Sequence, residues 1–193
     1  MRVLNVMGTR PEAVKMAPVI PELAKRQDVE SKVLTAGQHR EMLDQVLDVF
    51  GIVPDYDLGI MRLNQSPVDV LSAVLVSLRP VLRQFIPDWV LVQGDTTTVL
   101  AATIGAAYAQ CRVGHVEAGL RTYDFNNPFL EEINRVLVDH ASSLLFAPTE
   151  RARQALLREG IAAEKIHVTG NTIIDALLHI SSQVGQRINE PVP

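Results

Sequence analysis

Residues 89–119 read WVLVQGDTTTVLAATIGAAYAQCRVGHVEAG and hold the pattern from which the fold can be predicted. Two short runs, Trp89–Gln93 and Arg112–Val116, are rich in valine and apolar on both sides, which is typical of strands buried in a parallel sheet. Between them, Val99–Ala109 is almost wholly small and apolar, which predicts a helix packed against that sheet. A strand, a helix and a second strand in this order indicate a βαβ unit.

The same alternation continues on both sides of this unit. Four more apolar runs predict buried strands: Val3–Met7, Lys32–Ala36, Leu144–Ala147 and Ile166–Thr169. Further segments have helical spacing or helix-start signals: Pro11–Arg26, His39–Phe50, a long helix that opens at Ser66 and Pro67, Glu150–Arg158 and Asn171–Ile180. Pro80 should kink or divide the long helix, because proline has no N–H and clashes with the preceding turn. We therefore predict an α/β fold, a Rossmann-like doubly wound parallel sheet.

The length and composition of the chain indicate how it is divided into domains. The chain has 193 residues, of which 47% are hydrophobic and 21% charged, and this predicts one packed domain over residues 1–180. Residues 181–193 lose the helical pattern and end in Pro-Val-Pro, so we interpret them as a linker toward a C-terminal domain that this chain does not contain.

Composition also bears on partners and location. The net charge of −4 disfavours nucleic acid as a partner. Because Cys111 is the only cysteine, the chain has no intrachain disulfide and a cysteine-based zinc site is not expected. The apolar stretch at the start, MRVLNVMG, is too short for a signal peptide or a membrane span. We expect a cytoplasmic protein without a membrane partner.

The first predicted strand is followed by two cations at the start of a helix. Thr9 and Glu12 form a capping-box pattern, and a helix N-terminus favours an anion. Arg10 and Lys15 would add positive charge for a phosphate group. From spacing alone, a capped helix with solvated charges is an equally good explanation. The segment is neither a P-loop nor GxGxxG, so it predicts no ATP or NAD site.

Two carboxylates follow the strands of the opening unit. Asp95 lies just beyond Trp89–Gln93, and Glu117 comes directly after Arg112–Val116. Because ligands of open α/β sheets bind at the carboxyl ends of strands, both side chains would face one cleft if these strands are neighbours. A partly buried carboxylate near another can act as a general acid or base. Capping of the next helix is the alternative role, and it fits Thr96 better than Asp95.

A third group of charges lies in PFLEEINR, residues 128–135. Glu131 stands near the start of a predicted helix, four residues before Arg135, and Glu132 stands three residues before it. Either spacing permits an ion pair of about 0.3–0.5 kcal/mol if it is exposed. We favour the structural role, an ion pair, for Glu132. For Glu131 we leave open both an ion pair with Arg135 and a catalytic role.

Other polar residues at strand ends are interpreted as structural. Asn171 or Thr172 would cap the last predicted helix. His39 and His115 lie near strand ends, and no pair of histidines has metal-ligand spacing. We therefore interpret each as a hydrogen-bonded structural residue.

Eight motifs together carry a resemblance to one family. In chain order they are GTRPEAVKMAPV, QHREMLDQVL, DYDLGIM, QGDTTT, VGHVEAGLRT, PFLEEINR, FAPTE and TGNTIIDAL. From Met1 to about Ile180 the chain closely resembles the non-hydrolysing UDP-N-acetylglucosamine 2-epimerases. The resemblance implies the N-terminal half of a glycosyltransferase-B-like fold, whose second domain would supply much of the uridine and diphosphate site and a catalytic histidine. It also implies a homodimer formed through the first domain.

The resemblance further implies a reaction and a set of site residues. The reaction interconverts UDP-N-acetylglucosamine and UDP-N-acetylmannosamine by loss and re-addition of UDP through 2-acetamidoglucal, and it needs no cofactor and no metal. Cations would stabilise the departing phosphates and carboxylates would move the C2 proton. The implied catalytic residues are Asp95, Glu117 and Glu131, and the implied substrate-binding residues are Arg10, Lys15, Asp95, Glu117 and Arg135.

Two positions depart from the family pattern. Leu130 stands where the family commonly has proline before the paired glutamates, a change that would loosen the turn and keep the acids. Gln38 is followed by Glu41, where the family has a second glutamine that helps to bind a regulatory UDP-N-acetylglucosamine.

Two other functions agree with the sequence. One is a glycosyltransferase of the same fold, which would not need the three carboxylates. The other is a nucleotide-sugar-binding or dimerisation module without catalysis, because half of a cleft should bind weakly.

Overall fold

The computed structural model describes residues 1–37 and 40–188 and confirms the α/β class. One parallel sheet contains the strands β1 (Arg2–Met7), β2 (Glu30–Thr35), β3 (Tyr56–Asp57), β4 (Trp89–Gln93), β5 (Arg112–Val116), β6 (Leu144–Ala147) and β7 (Ile166–Val168). Their order is β3-β2-β1-β4-β5-β6-β7. The chain therefore builds one half of the sheet from β1 outward, returns to the centre at β4, and builds the other half, which is the doubly wound arrangement.

Helices cover both faces of this sheet. They are α1 (Arg10–Met16), α2 (Val19–Ala24), α3 (Arg40–Val49), α4 (Pro67–Phe85), α5 (Thr97–Tyr108), α6 (Glu131–Ala141), α7 (Glu150–Arg158) and α8 (Ile173–Ile188). On one face Leu4 and Val90 pack in a core with residues of α4 and α5, and on the other Val3 and Leu91 pack with residues of α1 and α3. Because neighbouring side chains of a strand point to opposite faces and both faces are covered, the strands are continuous apolar runs.

Two prolines have opposite effects on the predicted helices. The predicted helix Pro11–Arg26 is wrong as a single element, because α1 ends at Met16 and α2 begins after Pro18. Proline cannot donate the hydrogen bond that would continue the first helix. Pro80 lies inside α4 and does not divide it. The apolar face of α4 is buried against the core along its whole length, and this packing maintains the helix across the missing donor.

Four further findings concern single segments of the chain. The helix α8 runs to Ile188, beyond the predicted end at Ile180, and no proline occurs before Pro191 to stop it. The two-residue strand β3 was not predicted, because two residues are too few to show a period. Gln38 and His39 lie outside the described residues. No helix in the described part of the chain is both long and apolar enough to cross a membrane.

Candidate active site at the carboxyl ends of the central strands

The loops that follow β1, β4 and β5 surround one cleft. β4 pairs with β1 on one side and with β5 on the other, so the neighbouring strands that the sequence analysis required are present. The cleft has a volume of about 200 Å³. Its lining residues are Thr9, Pro11, Glu12, Lys15, Gln93, Gly94, Asp95, Thr96, Glu117, Leu120 and Arg135. Of the predicted site residues, Lys15, Asp95, Glu117 and Arg135 line this cleft, whereas Arg10 and Glu131 do not.

Glu117 is held by side chains from three parts of the chain. Lys15 Nζ and Gln93 Nε2 both contact its Oε2 atom, and Asn171 Nδ2 donates to Oε1 at 3.1 Å. Its backbone has a φ of 69°, in the left-handed region, which turns the chain sharply at the end of β5. Only 11% of the side chain is exposed. The carboxylate is therefore fixed in orientation before any ligand binds, as a catalytic group requires.

Two of the residues that hold Glu117 were not predicted as parts of the site. Gln93 is the last residue of β4 and was read only as strand. Asn171 was interpreted as a helix cap, and its Oδ1 atom does accept a hydrogen bond from the backbone N–H of Ile173 at 3.1 Å. The same side chain uses its Nδ2 atom for Glu117. A polar residue at a strand end is a general signal for such a role, but it does not identify the partner.

Asp95 also lines the cleft and is paired with Arg135. Arg135 Nη2 lies 2.5 Å from Asp95 Oδ2, and its Nη1 lies 3.2 Å from Glu132 Oε2. Asn134 Nδ2 donates to the backbone carbonyl of Asp95 at 2.8 Å. The structural role favoured for Glu132 is confirmed, because this buried residue also accepts the backbone N–H of Tyr123 at 2.8 Å. The helix α6 therefore positions Asp95 from its own first turns.

Glu131 has an environment unlike that of Glu132. It is the first residue of α6, and its Oε2 atom is buried without a hydrogen-bond partner among the described residues. The alternative that pairs Glu131 with Arg135 does not occur in the structure, where Arg135 binds Asp95 and Glu132. A buried carboxylate oxygen without a donor is destabilising by about 1–3 kcal/mol, so an incoming hydrogen-bond donor would be stabilised at this position.

The turn before Glu131 contains a residue in the left-handed region. Leu130 is the N-cap of α6 and has a φ of 53°. The proline ring restricts φ to near −65°, so this conformation of the turn is closed to proline. Leucine at position 130 therefore permits a backbone here that proline would not.

The helix α1 places one cation in the cleft and one outside it. Lys15 lines the cleft, whereas Arg10 is exposed at the start of the helix. The predicted capping box is present, and Glu12 accepts the backbone N–H of Gly8 at 2.6 Å and the hydroxyl of Thr9 at 2.9 Å. Glu12 also lines the cleft. Its burial raises its pKa above the ordinary value, against hydrogen bonds from Gly8, Thr96 and Thr9 that lower it.

We predict that Glu12→Gln gains stability relative to the parent chain as pH rises. The folded-state pKa of Glu12 exceeds its ordinary value of 4.5, so its favourable contribution is complete below pH 4.5 and is lost as pH rises through the folded pKa. Glutamine does not ionise. The difference in free energy of unfolding should therefore shift toward Glu12→Gln by about 1.4 kcal/mol per unit of pKa elevation.

Thermal unfolding of both chains between pH 4 and 8 measures this difference. Glu22→Gln is the matched control, since 68% of the Glu22 side chain is exposed. A difference between Glu12→Gln and the parent chain that is the same at every pH would contradict the prediction.

Beneath the cleft lies a buried pair of ionisable side chains. His115 Nδ1 lies 2.6 Å from Asp139 Oδ1, and its Nε2 lies 2.8 Å from the backbone carbonyl of Gly94. The interpretation of His115 as a hydrogen-bonded residue is confirmed. Burial raises the pKa of Asp139, but the opposing effects of His115 and Arg121 are together larger and hold it below the ordinary value.

Both cations that line the cleft are paired with carboxylates. Lys15 is paired with Glu117, and Arg135 is paired with Asp95. The ammonium group of Lys15 has three N–H donors, so it can contact an anion while it stays paired with Glu117. Within residues 1–37 and 40–188, no group of three or more His, Cys, Asp or Glu side chains is placed to hold a metal ion.

Comparison with known proteins places this arrangement in a family. A family model described as UDP-N-acetylglucosamine 2-epimerase matches residues 21–192. The UDP-N-acetylglucosamine 2-epimerase of Escherichia coli strain K12 is 55% identical over 184 residues, which cover 95% of this chain and 49% of that protein. The chain thus spans about half the length of the curated relatives it matches.

Solved structures agree with the sequence comparison. The UDP-GlcNAc 2-epimerase from Neisseria meningitidis, in a structure bound to UDP-GlcNAc, has a TM-score of 0.93 and 53% identity over 96% of this chain and 50% of that chain. A lipopolysaccharide outer core galactosyltransferase has a TM-score of 0.62 at 12% identity over 89% of this chain and 46% of that chain, which shows a likeness of fold alone. With a family model that matches most of its length and relatives more than half identical to it, the chain belongs to the UDP-N-acetylglucosamine 2-epimerase family.

Proposed function

We propose that this chain is the N-terminal half of an isomerase that interconverts UDP-N-acetylglucosamine and UDP-N-acetylmannosamine. The observation that carries the proposal is that Asp95 and Glu117 line one cleft, each with a cation beside it. Membership in the epimerase family and the relative that is bound to UDP-GlcNAc support it. Proton transfer at a sugar carbon requires carboxylates of this kind within reach of a phosphate-binding cation.

The proposed reaction is an elimination followed by an addition. A carboxylate removes the proton from sugar C2, the C2–H electron pair becomes the C1–C2 double bond, and the C1–O electron pair leaves with UDP. The product is 2-acetamidoglucal. A UDP oxygen then adds to C1 while a proton is delivered to the opposite face of C2, so the reaction consumes no oxidant and no reductant.

The structure suggests a role for each proposed residue. Glu117 is fixed by three donors, whereas a buried oxygen of Glu131 has no hydrogen-bond partner within residues 1–37 and 40–188. We assign the acid and base functions to the set Asp95, Glu117 and Glu131, each worth about 10²–10⁴-fold in rate. We assign substrate binding to Arg10, Lys15, Asp95, Glu117 and Arg135.

We further propose that a second domain completes the site. The cleft of about 200 Å³ is smaller than the roughly 300–1,000 Å³ that enclose most small-molecule ligands. A UDP-sugar would therefore extend out of it, and a closed site is needed to retain the glycal between the two steps. Residues 1–180 would form the first domain and residues 181–193 would lead to the second, in a cytoplasmic enzyme.

Exchange of the C2 proton tests the proposed function. The chain is incubated with UDP-N-acetylglucosamine in D2O, alone and with the C-terminal half of the Escherichia coli relative supplied separately, and deuterium at C2 is followed by NMR and mass spectrometry. We expect exchange in the complemented sample. Its absence there, with both halves folded and associated, would contradict the epimerase proposal.

The same experiment decides between catalysis and binding alone. A module that binds a nucleotide sugar without catalysis is favoured by the small cleft and by the share of the relatives' length that the chain spans. Such a module would bind UDP in the complemented sample, measured by calorimetry, without incorporation of deuterium.

We also propose that a second copy of the chain is a partner, in a homodimer formed through α4 and α5. A groove of about 770 Å³ lies between these helices on the surface. Its rim includes two exposed apolar side chains, Ile86 at 65% and Tyr108 at 89% exposure. A second copy of the chain would remove these side chains from water, which is stabilising by about 25 cal/mol per Å² of apolar surface.

We expect Tyr108→Glu to convert the dimer to a monomer. An unpaired carboxylate in an apolar interface should weaken association at least about 100-fold, because it loses its hydration without gaining a partner. Sedimentation velocity at micromolar concentration measures the change. Val53→Glu is the control, since Val53 is 84% exposed and does not line the groove. A parent chain that is monomeric, or a Tyr108→Glu chain that stays dimeric, would contradict the proposal.

A further inference from the structure

The buried side chains beneath the cleft connect the two turns that carry Asp95 and Glu117. The backbone carbonyl of Gly94, which precedes Asp95, lies 2.8 Å from His115 Nε2. On the other side of the ring, His115 Nδ1 lies 2.6 Å from Asp139 Oδ1. Both side chains are only 1% exposed. The ring therefore spans from the turn after β4 to the helix α6.

The second oxygen of Asp139 continues the connection to the turn after β5. Its Oδ2 atom accepts the backbone N–H of Gly119 at 3.1 Å and lies 2.8 Å from Arg121 Nη1. Arg121 is held in turn by Glu159 of the segment after α7, with two hydrogen bonds of 2.7 Å each. These contacts run from Gly94 to Gly119 through buried side chains.

The hydrogen atoms in this connection can be assigned from the chemistry of the acceptors. A carbonyl oxygen can only accept, so His115 Nε2 carries a hydrogen toward Gly94. An ionised carboxylate can also only accept, and the lowered pKa of Asp139 indicates that it is ionised. His115 Nδ1 then donates as well, so the ring donates to an acceptor on each side.

Both turns contain residues with left-handed backbone conformations, which is ordinary for glycine but unfavourable for Glu117. Gly94 has a φ of 83° and Gly119 a φ of 85°, while Glu117 has a φ of 69° although it is not glycine. The backbone N–H of Gly94 donates to the carbonyl oxygen of Val116 at 3.2 Å. The carbonyl oxygen of Gly94 is held separately, by His115. Loss of the His115 contact would free the peptide that leads into Asp95.

We propose that His115 and Asp139 are positioning residues: His115 fixes the turn that carries Asp95 through its hydrogen bond to Gly94, and Asp139 holds the turn that carries Glu117 through Gly119. They do not reach the reacting atoms, since neither lines the cleft. The inference rests on the proposed function for its effect on rate, but its effect on the two turns is independent of that function. A displacement of a catalytic group by about 1 Å can reduce the rate about 100-fold, which is the effect expected here.

Two substitutions at one position separate positioning from a general contribution to stability. Glutamine places a side-chain N–H near the position of Nε2, so His115→Gln retains a donor for Gly94. Asparagine places one near Nδ1, so His115→Asn retains the donor for Asp139 and loses the one for Gly94. Both remove the same ring from the same buried site.

Hydrogen exchange of backbone amides, measured on the chain itself, is the first readout. Loss of the hydrogen bond to the Gly94 carbonyl should speed exchange of residues 95–97 about tenfold or more in His115→Asn, with little change in His115→Gln at equal global stability. Equal exchange of this segment in both variants and the parent chain would overturn the proposal.

The complemented C2-exchange assay is the second readout. We expect kcat to fall about 100-fold in His115→Asn and less than about threefold in His115→Gln, with KM unchanged in both. Equal losses of kcat would overturn the proposal. If the parent pair shows no C2 exchange, the proposed function fails and the amide exchange still decides the positioning role.

NMR of the parent chain keeps the inference testable if His115→Asn does not fold. Both ring N–H protons of His115 should be observed near neutral pH, protected from solvent, because both donate to buried acceptors. Absence of the Nε2 proton would overturn the proposal.

Discussion

Glu117→Gln is expected to reduce C2 exchange and epimerisation about 10²–10⁴-fold, the range of a lost general acid or base. Glutamine has nearly the same shape as glutamate but cannot take up a proton at neutral pH. Three donors, Lys15, Gln93 and Asn171, face the carboxylate in the structure, and an amide group can accept through one oxygen only. The initial rate of deuterium incorporation, measured with the complemented chain at saturating substrate, gives the change in kcat.

A surface carboxylate provides the control for this loss. Glu22→Gln removes the same charge from an exposed side chain that pairs with Lys25, and it should leave the rate within about twofold. Circular dichroism and thermal unfolding should show the same fold for both variants. A Glu117→Gln chain that binds UDP and exchanges C2 at the parent rate would remove Glu117 from the acid and base set.

Gly119→Ala is expected to destabilise the domain by about 3 kcal/mol or more, through strain and a steric clash that add. A Cβ atom at position 119 would lie 2.4 Å from the backbone carbonyl oxygen of Ala152 in α7, and a backbone atom of a helix cannot move aside cheaply. The φ of +85° adds the cost of a left-handed conformation for alanine. Thermal unfolding should show a fall in Tm of about 6–12 °C for a domain of this size.

Gly160→Ala separates the two causes. Gly160 has a φ of +83°, close to that of Gly119, but a Cβ atom there meets no atom within 4 Å. Its substitution should cost only the backbone strain of about 1–2 kcal/mol. Similar losses in the two variants would mean that the packing of the Glu117 turn against α7 does not constrain it.

Strand positions follow closely from the sequence. Three strands have the predicted limits, Trp89–Gln93, Arg112–Val116 and Leu144–Ala147. A strand that is buried on both faces must be apolar at every position, and turn residues mark its ends, so the signal is contained within a few residues. The limits of helices are harder to predict from the sequence, because proline does not have one fixed effect. The first predicted helix is divided at Pro18, whereas α4 continues through Pro80.

The site was predictable in part for the same reason. Asp95 and Glu117 follow their strands along the chain, and parallel neighbours bring such residues to one edge of the sheet. The sequence predicted Glu12 only as part of a capping box. Its burial beside the cleft depends on how α1 packs. Asn171 reaches Glu117 across 54 residues of chain, and no local period encodes that distance.

The order of residues along the chain was therefore sufficient to specify the class of fold, the family resemblance and the edge of the sheet at which the carboxylates stand. The folded arrangement was needed to establish which charge meets which. It pairs Arg135 with Asp95 and leaves an oxygen of Glu131 without a donor. The physical reason is range: backbone periodicity is set by neighbouring residues, whereas a hydrogen bond or ion pair needs atoms within about 3 Å, and only packing brings distant segments that close.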